Sequence, residues 1–223
     1  MSTPISKADT PWRALDVYGV SRLIGSASVR WWLSGGAALD RWVGRAIRPR
    51  TNIDVSVIAA DLVALLSVLP SGFSAWAPGE GEDDVVPLAE VSPDTDPQPL
   101  LVRDDADGSW VLQINVEDGT DRAWVYKRDP RLQLPWERAV LDLDGVPTGA
   151  PEVQLVWKAL RPRPEDELDK DAVVAVLPDD VRSWYERAIL SIHPHSTWSI
   201  HVRSPFAPAK ASWNRKHPQR ETP

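Results

Sequence analysis

The 223-residue chain contains no cysteine, a single methionine and two phenylalanines. Without thiols there is no disulfide, no thiolate metal site and no cysteine nucleophile, while an oxygen-bound metal stays open. No run of about 18 apolar residues occurs, so no helical membrane span is expected. The opening stretch MSTPISKADTPW lacks the apolar core of a signal peptide, and a cytoplasmic location is the expectation. An excess of basic residues is missing too: 25 Lys and Arg stand against 32 Asp and Glu, a formal charge of −7. That balance argues against a nucleic-acid binder working through bulk positive charge, and the expected partner is a small molecule. Oligomeric state is not written in the composition.

What is present is enough apolar residue for a sizeable core, 43% of the chain, and 12 tryptophans whose commonest use is burial of large apolar area. Trp31, Trp32, Trp42, Trp124 and Trp136 include candidates for stacking on a base or sugar, with core packing as the ordinary alternative. Residues 12–29 place Leu15, Val20, Leu23 and Ile24 at near-helical spacing, which predicts a first helix. RWWLSGG predicts a short apolar strand ending in a glycine pair, and ALDRWVGR a helix closed by Gly44. NIDVSVI alternates, so that Asn52, Asp54 and Ser56 share one face of a strand and Ile53, Val55 and Val57 the other.

A helix stopped by Pro70 and Gly72 follows, then residues 80–107, where ten carboxylates face a single Arg103 and short strands joined by acidic loops are expected. SWVLQINVEDGTDRAWVYKRD predicts a hairpin joined around Asp118 and Gly119, with Trp110, Leu112, Ile114 and Val116 on one face and Gln113, Asn115 and Glu117 on the other. From Pro135 onward the pattern reads as helical, punctuated by Pro151 and Pro178 at first-turn positions. The expected organisation is an α/β core over residues 1–130, a helical subdomain over 131–192, and a proline-containing basic tail over 193–223, loosely ordered or a docking arm.

The pair Gly35–Gly36 before a helix suits an anion, because helix-start amides and the positive end of the helix dipole point at it and glycine admits close approach. Two carboxylates at i and i+2 of a following strand would hold Mg²⁺ against the phosphates. The run LSGG, ALDRWVGR, RPRTNIDV resembles the DNA polymerase beta-type nucleotidyltransferase superfamily. It is most similar to the aminoglycoside 2''-adenylyltransferase-like and lincosamide nucleotidyltransferase-like antibiotic-resistance group, matching at Gly35, Gly36, Ala38, Leu39, Asp40, Gly44, Arg45 and Arg48. The resemblance extends through AWVYKRDPR and the segment from Gly149 to Ile189.

It implies an α+β fold with a mixed twisted sheet flanked by helices and a helical C-terminal part. It also implies ATP or another nucleoside triphosphate as co-substrate, Mg²⁺ as cofactor, and transfer of the nucleoside monophosphate to a hydroxyl of a small polar substrate. On this pattern Ser34, Gly35, Gly36, Arg45, Arg48 and Lys158 are nucleotide-binding candidates, and Asp54 with Asn52 the metal position.

The pattern is broken at its centre. Asn52 stands where the first carboxylate belongs, and the third acidic position, on the neighbouring strand, falls at Gln113, so metal binding is expected to suffer. Glu117 lies on the same face as Gln113 but about 13 Å further along, and is the candidate proton acceptor only if the strand bends. Arg48 and Arg50 either fork onto phosphate or are solvated loop charges. Asp40 suits a cap or an ion pair with Arg41 or Arg45, and Lys158 either reaches phosphate or lies on a helix surface. His193, His195 and His201 are expected at the surface, since no further ligand completes a zinc set.

Two functional readings stand side by side. One is an active nucleotidyltransferase acting on an aminoglycoside- or lincosamide-like hydroxyl. The other is a catalytically degenerate nucleotidyltransferase-fold protein that binds a nucleotide or small molecule, or catalyses a metal-independent reaction in the same cleft.

Overall fold

The computed structural model describes residues 3–92 and 95–203. In chain order it runs through β1 (Ile5–Ser6), α1 (Val17–Ile24), β2 (Trp31–Ser34), α2 (Gly35–Val43), β3 (Asp54–Ile58) and α3 (Leu62–Leu66). There follow β4 (Phe73–Pro78), β5 (Asp84–Pro87), β6 (Leu100–Asp104), β7 (Trp110–Gly119), β8 (Ala123–Val125) and β9 (Gln133–Pro135). The C-terminal part comprises α4 (Trp136–Ala139), β10 (Val140–Leu143), β11 (Val146–Gly149), α5 (Pro151–Ala159), α6 (Pro164–Val174), α7 (Asp179–Ile192) and α8 (Thr197–Arg203).

The strands form a mixed sheet in the order β1-β5-β4-β6-β7-β3-β2-β11-β10, with helices on its faces, in agreement with the α+β expectation. β2 and β3 are antiparallel, Ser34 opposite Asp54, and β3 and β7 are parallel, Asp54 beside Gln113. Alternation along β3 buries Val55 and Val57 in one core with Val20 and Ile24 of α1 and Leu65 of α3. Each such side chain gains about 1.5–3 kcal/mol from burial. On the opposite face Trp32 joins Trp124, Tyr126 and Trp136 under Val153, Val156 and Ile189 of α5 and α7. No described helix is long and apolar enough to cross a membrane.

Several expectations need correction. The first helix is shorter than residues 12–29, and the chain before it is extended: Arg13 N–H donates to Trp110 O at 2.9 Å and Trp110 N–H to Pro11 O at 2.9 Å. Both backbone polar groups of Trp110 are thereby used by this strap, which occupies the side of β7 that β3 covers further on.

A β-bulge where Val102 and Arg103 face Leu112 and Trp110 breaks the alternation of β7. Trp110 consequently leaves the face of Leu112 and packs with Trp76 and Leu101, on the Gln113 side. The hairpin after β7 is present, but Asp118 and Gly119 are paired within it, opposite Val125 and Trp124, and the turn falls at residues 120–122.

PWERAVLDL is not a continuous helix. After the single turn of α4 the chain makes the β10–β11 hairpin, and β11 joins the main sheet beside β2. Asp144 and Gly145 turn it with φ of 51° and 76°, the left-handed conformations that a tight hairpin demands. The tail begins as packed structure: His193 and Trp198 are buried, and His193 Nε2 meets Tyr126 OH at 2.9 Å. His193 is therefore not a surface residue, and burial lowers its tendency to protonate. The basic stretch 204–223 lies outside the described residues.

Candidate functional site

The floor of the candidate site is set by strand register. Side chains opposite one another on adjacent strands face the same way, so Ser34, Asp54 and Gln113 stand in a row, with Asn52 beside them. Asn52 Nδ2 donates to Asp54 Oδ1 at 3.0 Å. The other carboxylate oxygen of Asp54 lies against Gly35, whose φ of 61° and lack of Cβ are both required there, since a Cβ would run into Asp54 Oδ2. Burial pushes the Asp54 carboxyl up to about 6, against the opposing pull of Lys158, Arg163, Lys7 and Arg50.

Above this floor two cavities share Gly35, Lys158 and Arg163. The larger, about 550 Å³, is bounded by Gly36, Asp54 and Gln113 below and by Lys7, Trp12 and Arg163 at its sides. The smaller, about 290 Å³, extends past Ser34, Asn115 and Trp157 to Glu117.

The sequence candidates separate clearly. Gly35, Gly36, Asn52, Asp54, Gln113, Arg48 and Lys158 meet at the larger cavity, and Ser34 at the smaller. Gln113 falls beside Asp54 in the strand register. Arg45 does not reach the site: it is exposed beyond the C-terminal end of α2 and lines neither cavity. Glu117 is displaced along the strand to the Ile58 level and is 3% exposed. Its Oε2 accepts from the indole N–H groups of Trp124 and of Trp157, the latter at 3.0 Å. Burial raises its pKa. It sits in the wall between core and cavity, away from Asp54.

The arginines and lysine expected to meet phosphate are largely engaged by carboxylates that the sequence reading overlooked. Arg50 lies over Gly36, where an added Cβ would come within 2.5 Å of its guanidinium carbon. It pairs with Asp40 at 2.6 Å and with Asp169 at 2.8 Å. Arg48 bonds Asp169 at 3.1 Å, and Lys158 bonds Asp166 at 2.6 Å and Asp169 at 3.1 Å. Asp169 is fully buried; despite the burial, which opposes ionisation, Arg50, Arg48 and Lys158 hold it below the usual carboxylate range. Asp166 behaves alike under Arg163 and Lys158. The ion pair expected of Asp40 is made, with Arg50 in place of Arg41 or Arg45.

The first amide of α2 is also occupied: Gly35 N–H donates to Gln154 Oε1 at 2.7 Å. The spacing of acidic residues in PEDELDKD, four apart at some positions and three at others, was the one local signal for Asp166 and Asp169. The arginine partners of Asp169, Arg48 and Arg50, lie more than 100 residues away in the chain, whereas Asp166 is met by the nearby Lys158 and Arg163.

A divalent metal does not fit this floor. Magnesium is held by carboxylates together with phosphate oxygens, but Asp54 is the only carboxylate among Asn52, Asp54 and Gln113, and Asn52 turns its amide N–H toward it. Four cationic side chains already act on Asp54, so a dication there meets an unfavourable field. Among the described residues no group of three or more His, Asp or Glu is placed to hold a metal ion.

No protein-family model and no curated protein matches the chain. Among solved structures it is similar to a lincomycin-bound lincosamide antibiotic adenylyltransferase, LnuA, with 16% identity, 72% of this chain and 96% of that one covered, and a TM-score of 0.48. It is also similar to ANT(2'')-Ia in complex with adenylyl-2''-tobramycin, with 14% identity, coverage of 77% and 95%, and a TM-score of 0.46. For the solution structure of the antibiotic-resistance factor ANT(2'')-Ia the figures are 15%, 86% and 89%, and 0.40. At these identities and TM-scores the likenesses decide neither the substrate nor the chemistry of this chain.

Proposed function

We propose that this nucleotidyltransferase-like chain binds a phosphate-bearing small molecule, a nucleotide, in the 550 Å³ cleft without a divalent metal, and does not carry out metal-dependent nucleotidyl transfer. The carrying observation is the row Asn52, Asp54, Gln113, which places one carboxylate where a metal clamp needs concentrated negative charge. Lys7 on the cleft lining supplies attraction for an anion, and Lys158 and Arg163 face the same cleft while paired with Asp166. Asp54, pushed up to about 6, loses most of its opposing charge in mildly acidic solution.

The test is calorimetric titration of the full chain with ATP in EDTA and again with excess Mg²⁺, alongside a pyrophosphate-release assay with aminoglycoside and lincosamide acceptors. The expected result is binding in EDTA, equal or weaker binding with Mg²⁺, and no acceptor-dependent pyrophosphate. Binding that appears only with Mg²⁺, or acceptor-dependent release of pyrophosphate, overturns the reading.

A further inference from the structure

The strap at residues 5–15 is fixed at both ends. Ile5 and Ser6 pair with Val85 and Asp84, and Pro11 to Leu15 hydrogen-bond to Trp110 and Val111. Between these anchors Lys7 N–H donates to Asp83 O at 2.7 Å, and the indole of Trp110 donates to Lys7 O at 3.4 Å. The bulge in β7 is what makes this arrangement face the cleft. It turns Trp110 to the Gln113 side, and Trp12, bridged to Trp110 in parallel register, packs against that tryptophan cluster.

Trp12 is half-buried, and it lines the larger cavity. It is the one aromatic among that cavity's described lining residues, which are otherwise mostly polar or cationic. A flat apolar wall at the edge of a cationic cleft matches a ligand with a flat ring at one end and phosphates at the other. Base-on-aromatic stacking is worth enough to see, about 5- to 150-fold in affinity, and tolerates any base. A ring held on a strap tied at both ends is already in place before the ligand arrives, which limits the ordering cost of binding.

We infer that Trp12 is the stacking platform for the base of the nucleotide, with Lys7 beside it meeting the phosphates. This rests on the phosphate-binding reading of the cleft and extends it to the strap. Neither residue belongs to the Gly35–Asp54 region on which the cleft was first located.

The experiment compares two ligands on each variant by calorimetry in EDTA: ATP, which has a base, and inorganic tripolyphosphate, which has none. In Trp12→Leu the affinity for ATP is expected to fall about tenfold while that for tripolyphosphate stays unchanged. Trp12→Phe is expected to keep most of the ATP affinity but to lose most of the ATP-induced quenching of tryptophan fluorescence. Lys7→Ala is expected to weaken both ligands alike.

Equal loss of both ligands in Trp12→Leu, or no loss of either, overturns the inference. Should Trp12→Leu not fold, undiminished quenching in Trp12→Phe overturns it instead. If the unmodified chain binds neither ligand, the reading of the cleft fails, and that outcome is separate from a wild-type protein that binds ATP without using Trp12.

Discussion

The buried carboxylate of Asp169 accepts hydrogen bonds from both terminal nitrogens of Arg50, at 2.8 and 3.0 Å, while Arg50 lies across Gly36 at the start of α2. One acidic residue of α6 thus fixes the cation nearest the glycine turn. Arg48 and Lys158 converge on the same carboxylate. Removing one partner of a buried ion pair is more costly than the pair is worth, because the opposite charges are left without compensation. Asp169→Asn is expected to lower unfolding stability by about 3 kcal/mol in urea titrations at neutral pH. A loss below about 0.5 kcal/mol, the scale of an exposed pair, would show that the network does not hold α6 to α2.

Asp54 has the opposite sign. Its carboxyl is pushed up by burial from 3.8 to about 6. Between those values the folded protein keeps a proton that the unfolded chain has released, so stability falls as pH rises through that window. Asp54→Asn retains an oxygen for the Asn52 N–H and removes the buried charge. It is expected to stabilise the protein by about 2 kcal/mol near pH 7.5 and to have no effect below about pH 4, measured by urea unfolding across that range. The same substitution is expected to tighten ATP binding about fivefold, by removing a negative charge from the cleft. A metal-dependent site would lose binding instead, so the direction of the change separates the two mechanisms.

The part of this site that was legible in the sequence is the part carried by short-range pattern. Alternation in NIDVSVI placed Asn52 and Asp54 on one face, and the pattern of β7 placed Gln113 beside Asp54, because strand periodicity is local and steric. The strap was missed because Leu15 stands close enough to Val20, Leu23 and Ile24 to be grouped with them in one apolar run, although at about 100° per residue it falls away from the face those three share. The β10–β11 hairpin was missed although LDLDGVP holds the Asp-Gly signal of a tight turn, since flanking prolines at 135 and 151 suggested helix starts. For Asp169 and Asp166 the acidic spacing of PEDELDKD was a local signal of a charged helix, but not of their partners. Their role depends on Arg48 and Arg50, which the fold delivers from the loop after α2, and on Lys158 of α5 and Arg163 beyond it, and the spacing does not encode that convergence.

Gly35 sits at φ 61° with Asp54 against the place where a Cβ would be. Alanine there meets both penalties, a left-handed backbone of about 1 kcal/mol and a collision with a carboxylate that Asn52 holds in place. Gly35→Ala is expected to lose about 2–3 kcal/mol of stability and to abolish ATP binding in calorimetry. Gly44→Ala serves as the control. Gly44 also has a positive φ, 79°, but nothing lies within 4 Å of an added Cβ, so it is expected to lose only about 1 kcal/mol and to bind ATP normally. Equal effects at the two glycines would mean that contact with Asp54 adds nothing to the backbone cost.

Glu117 separates a structural carboxylate from a chemical one. Its Oε2 accepts two indole N–H groups, from Trp124 and Trp157, in a position that is 3% exposed, and burial raises its pKa. Glutamine keeps an oxygen for both donors and carries no charge. Glu117→Gln is therefore expected to stay within about 1 kcal/mol of the parent in stability, and to bind ATP with unchanged affinity. Glu117→Ala strands both indole N–H groups beside a new void, and is expected to lose about 3 kcal/mol. Urea unfolding and ATP titration of the two variants distinguish the roles: if the glutamine variant is as stable as the parent yet binds ATP tenfold more weakly, Glu117 acts on the ligand through its charge. If binding survives in the glutamine variant and stability fails in the alanine variant, Glu117 is the strut that holds Trp157 in the wall of the smaller cavity.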